Sequence, residues 1–73
     1  MLERGTEVYI KSKPTLGVFL IESFSLVMQK AGSGDFSLLA KILPQNDVVI
    51  GERIVSANSA VFVDASKLAI HCD

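Results

Sequence analysis

The sequence predicts a mostly β domain in which five or six short strands curl into a small closed or half-closed barrel. Three observations carry that expectation. Short runs rich in β-branched and aromatic residues recur along the chain, separated by clusters of Gly, Pro, Asn, Asp and Ser. Thr6 to Lys11 alternates polar and apolar residues with a period of two. The stretch from Phe24 to Ile42 can fold back on itself so that three apolar pairs share one face. Curling is the usual way for so small a set of strands to manage its edges.

Taken in order, Thr6 to Lys11 places Val8 and Ile10 on one face, as in a half-buried strand. Ser12-Lys13-Pro14-Thr15 ends it, because proline fixes φ and has no N–H to donate to a ladder. Leu16 to Lys30 carries two patterns at once. As a helix it has an apolar stripe through positions 16, 19, 20, 24, 27, 28 and 31, with Thr15 to cap its start and Gly32 its end, which would make the fold α+β. As a strand it lines one face with Val18, Leu20, Phe24, Leu26 and Met28, interrupted by Glu22. The abundance of Val, Phe, Ile and Ser, the presence of Gly17 and the lack of an acidic residue in a first helical turn favour the strand.

A hairpin follows from that choice. With Ala31-Gly32-Ser33-Gly34-Asp35 as its loop, Phe24 faces Ile42, Leu26 faces Ala40 and Met28 faces Leu38. Pro44 to Asp47 reads as a loop, Val48 to Val55 as one strand with a bulge at Gly51, and Ser56 to Ser59 as a turn. The next pairing sets Val55 opposite Ala60, Ile54 opposite Val61 and Arg53 opposite Phe62. It lays the guanidinium over the ring, a contact worth about 0.5–1 kcal/mol when exposed. Asp64-Ala65-Ser66 makes a short turn in which Asp64 accepts from nearby backbone N–H groups, and Lys67 to His71 forms the last strand.

Gly5-Thr6-Glu7-Val8, Gly17-Val18-Phe19 and the run from Ala60 to Leu68 together resemble the strand, strand and strand-turn-strand layout of SH3-like barrels. That family commonly carries a single-turn 3₁₀ segment between its last two strands, so the resemblance implies one here. It extends to the fold alone. The aromatic ligand groove of true SH3 domains is missing, and Val61-Phe62-Val63 stands where the plasmid-encoded small-barrel dihydrofolate reductases have Gln-Ile-Tyr.

Seventy-three residues can enclose one core, so residues 1–73 are read as one domain. At this size folding buries only about 60% of the unfolded chain's surface, and a disulfide, a metal or a partner often makes up the deficit. Cys72 is the single cysteine, so no intrachain bridge is open to it. A structural zinc would need four ligands where the sequence offers His71 beside Cys72, and neither a metal nor a cofactor is expected. Association remains. A hydrophobic content of 49% and a mean hydropathy of +0.43 point the same way.

Seven basic against eight acidic residues, spread along the chain, leave no electrostatic footprint for nucleic acid. A free cysteine suits a reducing compartment, the start shows no signal-peptide pattern, and Leu16 to Met28, interrupted by Glu22, falls short of the ~20 residues that span a bilayer. A cytoplasmic protein with no membrane partner is the expectation.

No residue is assigned a catalytic role. His71 and Cys72 are strand neighbours and point to opposite faces, so they cannot form a dyad within one chain. Gly32-Ser33-Gly34 lacks the Gly-Lys-Ser/Thr ending of a phosphate loop. Glu22, a candidate general acid within an apolar run, has no second carboxylate or His near it in sequence and reads as a residue facing water at a bend. Tyr9, Lys11 and Lys13 could together grip a single-stranded nucleic acid, but two lysines are few.

The outer face of the expected hairpin is more informative. There Val27 sits opposite Leu39, bordered by Ser25 with Lys41 and Gln29 with Ser37, an apolar centre with a polar rim. With Arg53 and Phe62, the candidate interaction surface is Val27, Leu39, Lys41, Arg53 and Phe62. The expected function is a non-catalytic module that self-associates or binds a protein. The alternatives are a nucleic-acid-binding small barrel and an obligate oligomeric enzyme with a site on a symmetry axis.

Overall fold

Period-two alternation puts Val8 and Ile10 of β1 (Glu7–Ile10) on one side of the chain, and both are buried. A computed structural model describes residues 2–28, 32 and 34–72, and in it that side of β1 faces the hydrophobic core. Lys13 and Pro14 lead into a 3₁₀ turn at Pro14–Leu16, closed by Gly17 at φ 90°, a left-handed conformation that glycine adopts without steric cost. The chain then runs straight into β2 (Phe19–Met28), so the helical alternative over Leu16 to Lys30 is not what forms.

The remaining strands are β3 (Phe36–Pro44), β4 (Val48–Ile50), β5 (Arg53–Val55), β6 (Val61–Asp64) and β7 (Leu68–Ile70). A second 3₁₀ turn, Ala65–Lys67, joins β6 to β7. Asp64 caps it as expected, its Oδ1 accepting from the Ser66 backbone N–H at 2.9 Å and from the Ser66 hydroxyl at 2.8 Å. Five strands form an antiparallel sheet in the order β6-β3-β2-β1-β7, and β4 with β5 forms a separate two-stranded ribbon. The protein is mostly β, and the described residues form no closed barrel.

The core lies on one face of the sheet. Phe19, Ile21, Ala40, Ile42 and Leu68 join Val8 and Ile10 there, with Leu2, Leu16, Phe24, Val48, Val61 and Val63 packed around them. How β2 reaches this face corrects the expected alternation. Phe19 and Ile21, not Val18 and Leu20, point inward at the start of the strand, opposite Pro44 and Ile42. The ladder then slips at Glu22, where an extra residue in β2 leaves Ser23 opposite Lys41. One inserted residue reverses which parity faces the core, so Phe24, Leu26 and Met28 take the inner face beyond it.

The β2–β3 register accordingly differs by two residues from the expected one. Phe24 faces Ala40, Leu26 faces Leu38 and Met28 faces Phe36, so residues 29–35 connect the strands. Gln29, Lys30, Ala31 and Ser33 lie outside the described residues. A shift of two preserves the faces, and Val27 and Leu39 remain on the outer side. They are diagonal neighbours, with Val27 opposite Ser37 and Leu39 opposite Ser25.

The C-terminal third departs further. Val48 to Val55 is not one bulged strand. Gly51 at φ 64° occupies the first central position of a two-residue turn, and Val48 pairs with Val55, Val49 with Ile54 and Ile50 with Arg53. Nor does β5 pair with β6. The Ser56–Ser59 turn is tied to the preceding loop, with the Ala57 N–H donating to Asp47 Oδ1 at 2.8 Å and the Asn58 N–H to the Pro44 carbonyl at 2.9 Å. Asn58 itself has φ 66°, which asparagine tolerates better than most residues. These ties deliver β6 to the free side of β3, where Lys41 faces Phe62 and Ile42 faces Val61. Ile54, expected to be buried against Val61, is 75% exposed.

Candidate interaction surface

The register determines which side chains each face presents. Inward, the apolar face that makes the core continues along the β2–β3 hairpin past Phe24 and Ala40, where nothing among the described residues covers it. Leu26, Met28, Phe36 and Leu38 line this extension at 69, 47, 53 and 43% exposure. The hairpin therefore projects as an arm. β2 alone, at about 3.3 Å per residue, would reach roughly 33 Å, most of the 38 Å long dimension of the molecule. The radius of gyration is 12.7 Å, against about 11 Å for a compact domain of this length.

Outward, Val27, Leu39, Lys41 and Phe62 share the face away from the core, as the pairings Val27–Ser37, Lys41–Phe62 and Leu39–Asp64 require. Four of the five candidate residues thus come together on one side of the sheet. Lys41 Nζ lies 3.0 Å from Glu22 Oε2, so the bulged residue is a surface ion-pair partner at a bend in the strand. The Ser66 backbone and hydroxyl hydrogen bonds, with a further one from Ser37, hold the Asp64 carboxyl below the usual carboxylate range, and Lys67 nearby adds to the effect.

Arg53 sits apart on the ribbon, opposite Ile50 instead of Phe62. Arg53 and Phe62 both border a cleft of about 340 Å³ between the ribbon and β6, lined also by Ile50, Val55, Ala60 and Val61. The strand pairing expected to lay Arg53 over the Phe62 ring does not form, because β5 pairs with β4 and β6 with β3.

At the other edge of the sheet a second hollow of about 260 Å³ is lined by Tyr9, Pro14, Gly17, Val18 and His71. The His71 N–H donates to the Glu7 carbonyl at 2.9 Å, and Cys72 is exposed. Among the described residues no three of His, Cys, Asp or Glu gather into a group able to hold a metal ion. No helix among them is long and apolar enough to cross a membrane.

Sequence reasoning missed the arm's inner face because it took Leu26 and Met28 to be core. The available signal was length, since β2 and β3 run to ten and nine residues while β1, β6 and β7 have four or fewer with which to cover them. Comparison with protein-family models, with curated proteins and with solved structures finds no match for this chain.

Proposed function

We propose that the protein is a non-catalytic assembly module that associates with a second copy of itself through the β2–β3 arm. The supporting observation is the uncovered apolar face of Leu26, Met28, Phe36 and Leu38, continuous with the core. Soluble proteins rarely leave such a patch open unless a partner closes it. Among the described residues this face carries no charged side chain between Phe24 and Met28 or between Phe36 and Ala40, so a two-fold pairing of two arms there brings no like charges together. On the arm's other side Val27 and Leu39 form a separate, smaller apolar pair, bordered by Lys41 with Glu22.

The SH3-like reading of the fold belongs to the same proposal. Its support is the single-turn 3₁₀ segment between the last two strands, together with the antiparallel order of the sheet.

Sedimentation equilibrium over a concentration series tests the function. The expected result is a mass that rises toward the dimer as concentration reaches the high micromolar range. A monomer throughout would refute self-association.

A further inference from the structure

The cleft between the ribbon and β6 rests on observations independent of the arm. β6 is an edge strand, hydrogen-bonded to β3 on one side only. Three consecutive residues, Ala60, Val61 and Phe62, line the cleft. Successive side chains of an extended chain point to opposite faces, so a space bordered by all three opens onto the edge of the strand, where its outward N–H and C=O groups are.

The far wall is built by Ile50, Arg53 and Val55 of the ribbon, leaving about 340 Å³ between the two walls. That volume is at the small end of the range for ligand sites, about 300–1,000 Å³. The lining is apolar except for Arg53, and Arg53 has no carboxylate partner among the described residues. An unpaired strand edge, an apolar slot and a free guanidinium are the three elements by which a peptide is recognised as an added strand. The backbone edge supplies affinity and the side chains supply selectivity.

We propose that this cleft binds an extended peptide segment of another protein, which adds as a strand along Val61–Asp64. The peptide carries an apolar side chain that enters between Ile50, Val55 and Val61. An acidic side chain two positions away, on the same face of the peptide, reaches Arg53. The added strand lies between the five-stranded sheet and the ribbon.

The test is selection of a displayed random heptapeptide library against the full chain, followed by titration of the enriched peptides. The expected consensus pairs an acidic residue with an apolar one two positions apart. In ¹⁵N-resolved NMR, the enriched peptide is expected to shift the amides of residues 53, 55 and 60–64. Arg53→Glu should weaken binding roughly five- to tenfold, the weight of an exposed ion pair replaced by like-charge repulsion. Arg53→Gln should give a smaller loss in the same direction, and Leu26→Lys with Leu38→Thr on the arm should leave peptide affinity unchanged. Failure to enrich any sequence would overturn the proposal. So would peptides indifferent to both Arg53 variants, or shifts confined to other strands. Concentration-dependent shifts of residues 60–64 without peptide would assign the cleft to a second copy and also overturn it, whereas a monomeric wild-type chain that binds the peptide would refute only the arm.

Discussion

Replacing Leu26 by Lys together with Leu38 by Thr should abolish self-association while leaving the fold intact. The two leucines face each other across β2 and β3 on the inner side of the arm and remain 69 and 43% exposed. Full burial of a leucine side chain is worth about 1.5–3 kcal/mol. Covering the exposed fractions of both therefore contributes about 2–3 kcal/mol per copy and about 4–6 kcal/mol per symmetric dimer. That corresponds to roughly a 10³- to 10⁴-fold weaker dimer once the contribution is lost. The wild-type dimer must also overcome an association cost of about 4–15 kcal/mol, which is why the assay has to reach high micromolar protein. Neither leucine belongs to the buried core, so the far-UV circular dichroism of the variant should match that of the wild type. Sedimentation equilibrium of both proteins side by side provides the measurement. A variant that associates as the wild type does would refute the assignment of the interface to this face. A variant that unfolds would show these residues to be core, and the reading of the arm would fall with it.

Three further outcomes are expected. Phe19→Ala removes a fully buried ring from the centre of the core and should cost about 3–5 kcal/mol, a large share of the roughly 4–11 kcal/mol available to a domain this size; urea denaturation would show the midpoint falling sharply. The Asp64 carboxyl is held below its ordinary range by Ser66 and Ser37, so its contribution to stability is fully present above the unfolded pKa and is lost as pH falls through the lower folded value; chemical denaturation of Asp64→Asn against wild type should show a difference at neutral pH that shrinks in acid. The Glu22–Lys41 pair is about 40% exposed on both sides, so a double-mutant cycle should return a coupling of about 0.2–1 kcal/mol that fades in high salt; a coupling well above that range would mean the pair is shielded by an associated chain.

The sequence by itself determined the β character, a strand within Thr6 to Lys11 (observed at Glu7–Ile10), the break at Pro14 and the capped turn at Asp64. Each of these follows from interactions within a few residues: period-two alternation, the fixed φ of proline, and a carboxylate reaching the N–H two positions on. It also placed Val27 and Leu39 on the outer side of a hairpin, because a register error of two leaves the faces unchanged.

Tertiary structure decided the rest. The bulge at Glu22 reverses the parity of β2, and it is visible only once Phe19 and Ile21 are seen pinned against Pro44 and Ile42 while Phe24 continues inward. The turn from Ser56 to Ser59 would suit a hairpin in isolation. Its ties to Pro44 and Asp47 carry β6 away from β5 to β3, opening the cleft where Arg53 and Phe62 were expected to pair. Hydrophobic side chains carry no information about what will cover them. Leu26 and Met28 read as core, and only the limited reach of the short strands around them left that face open to solvent.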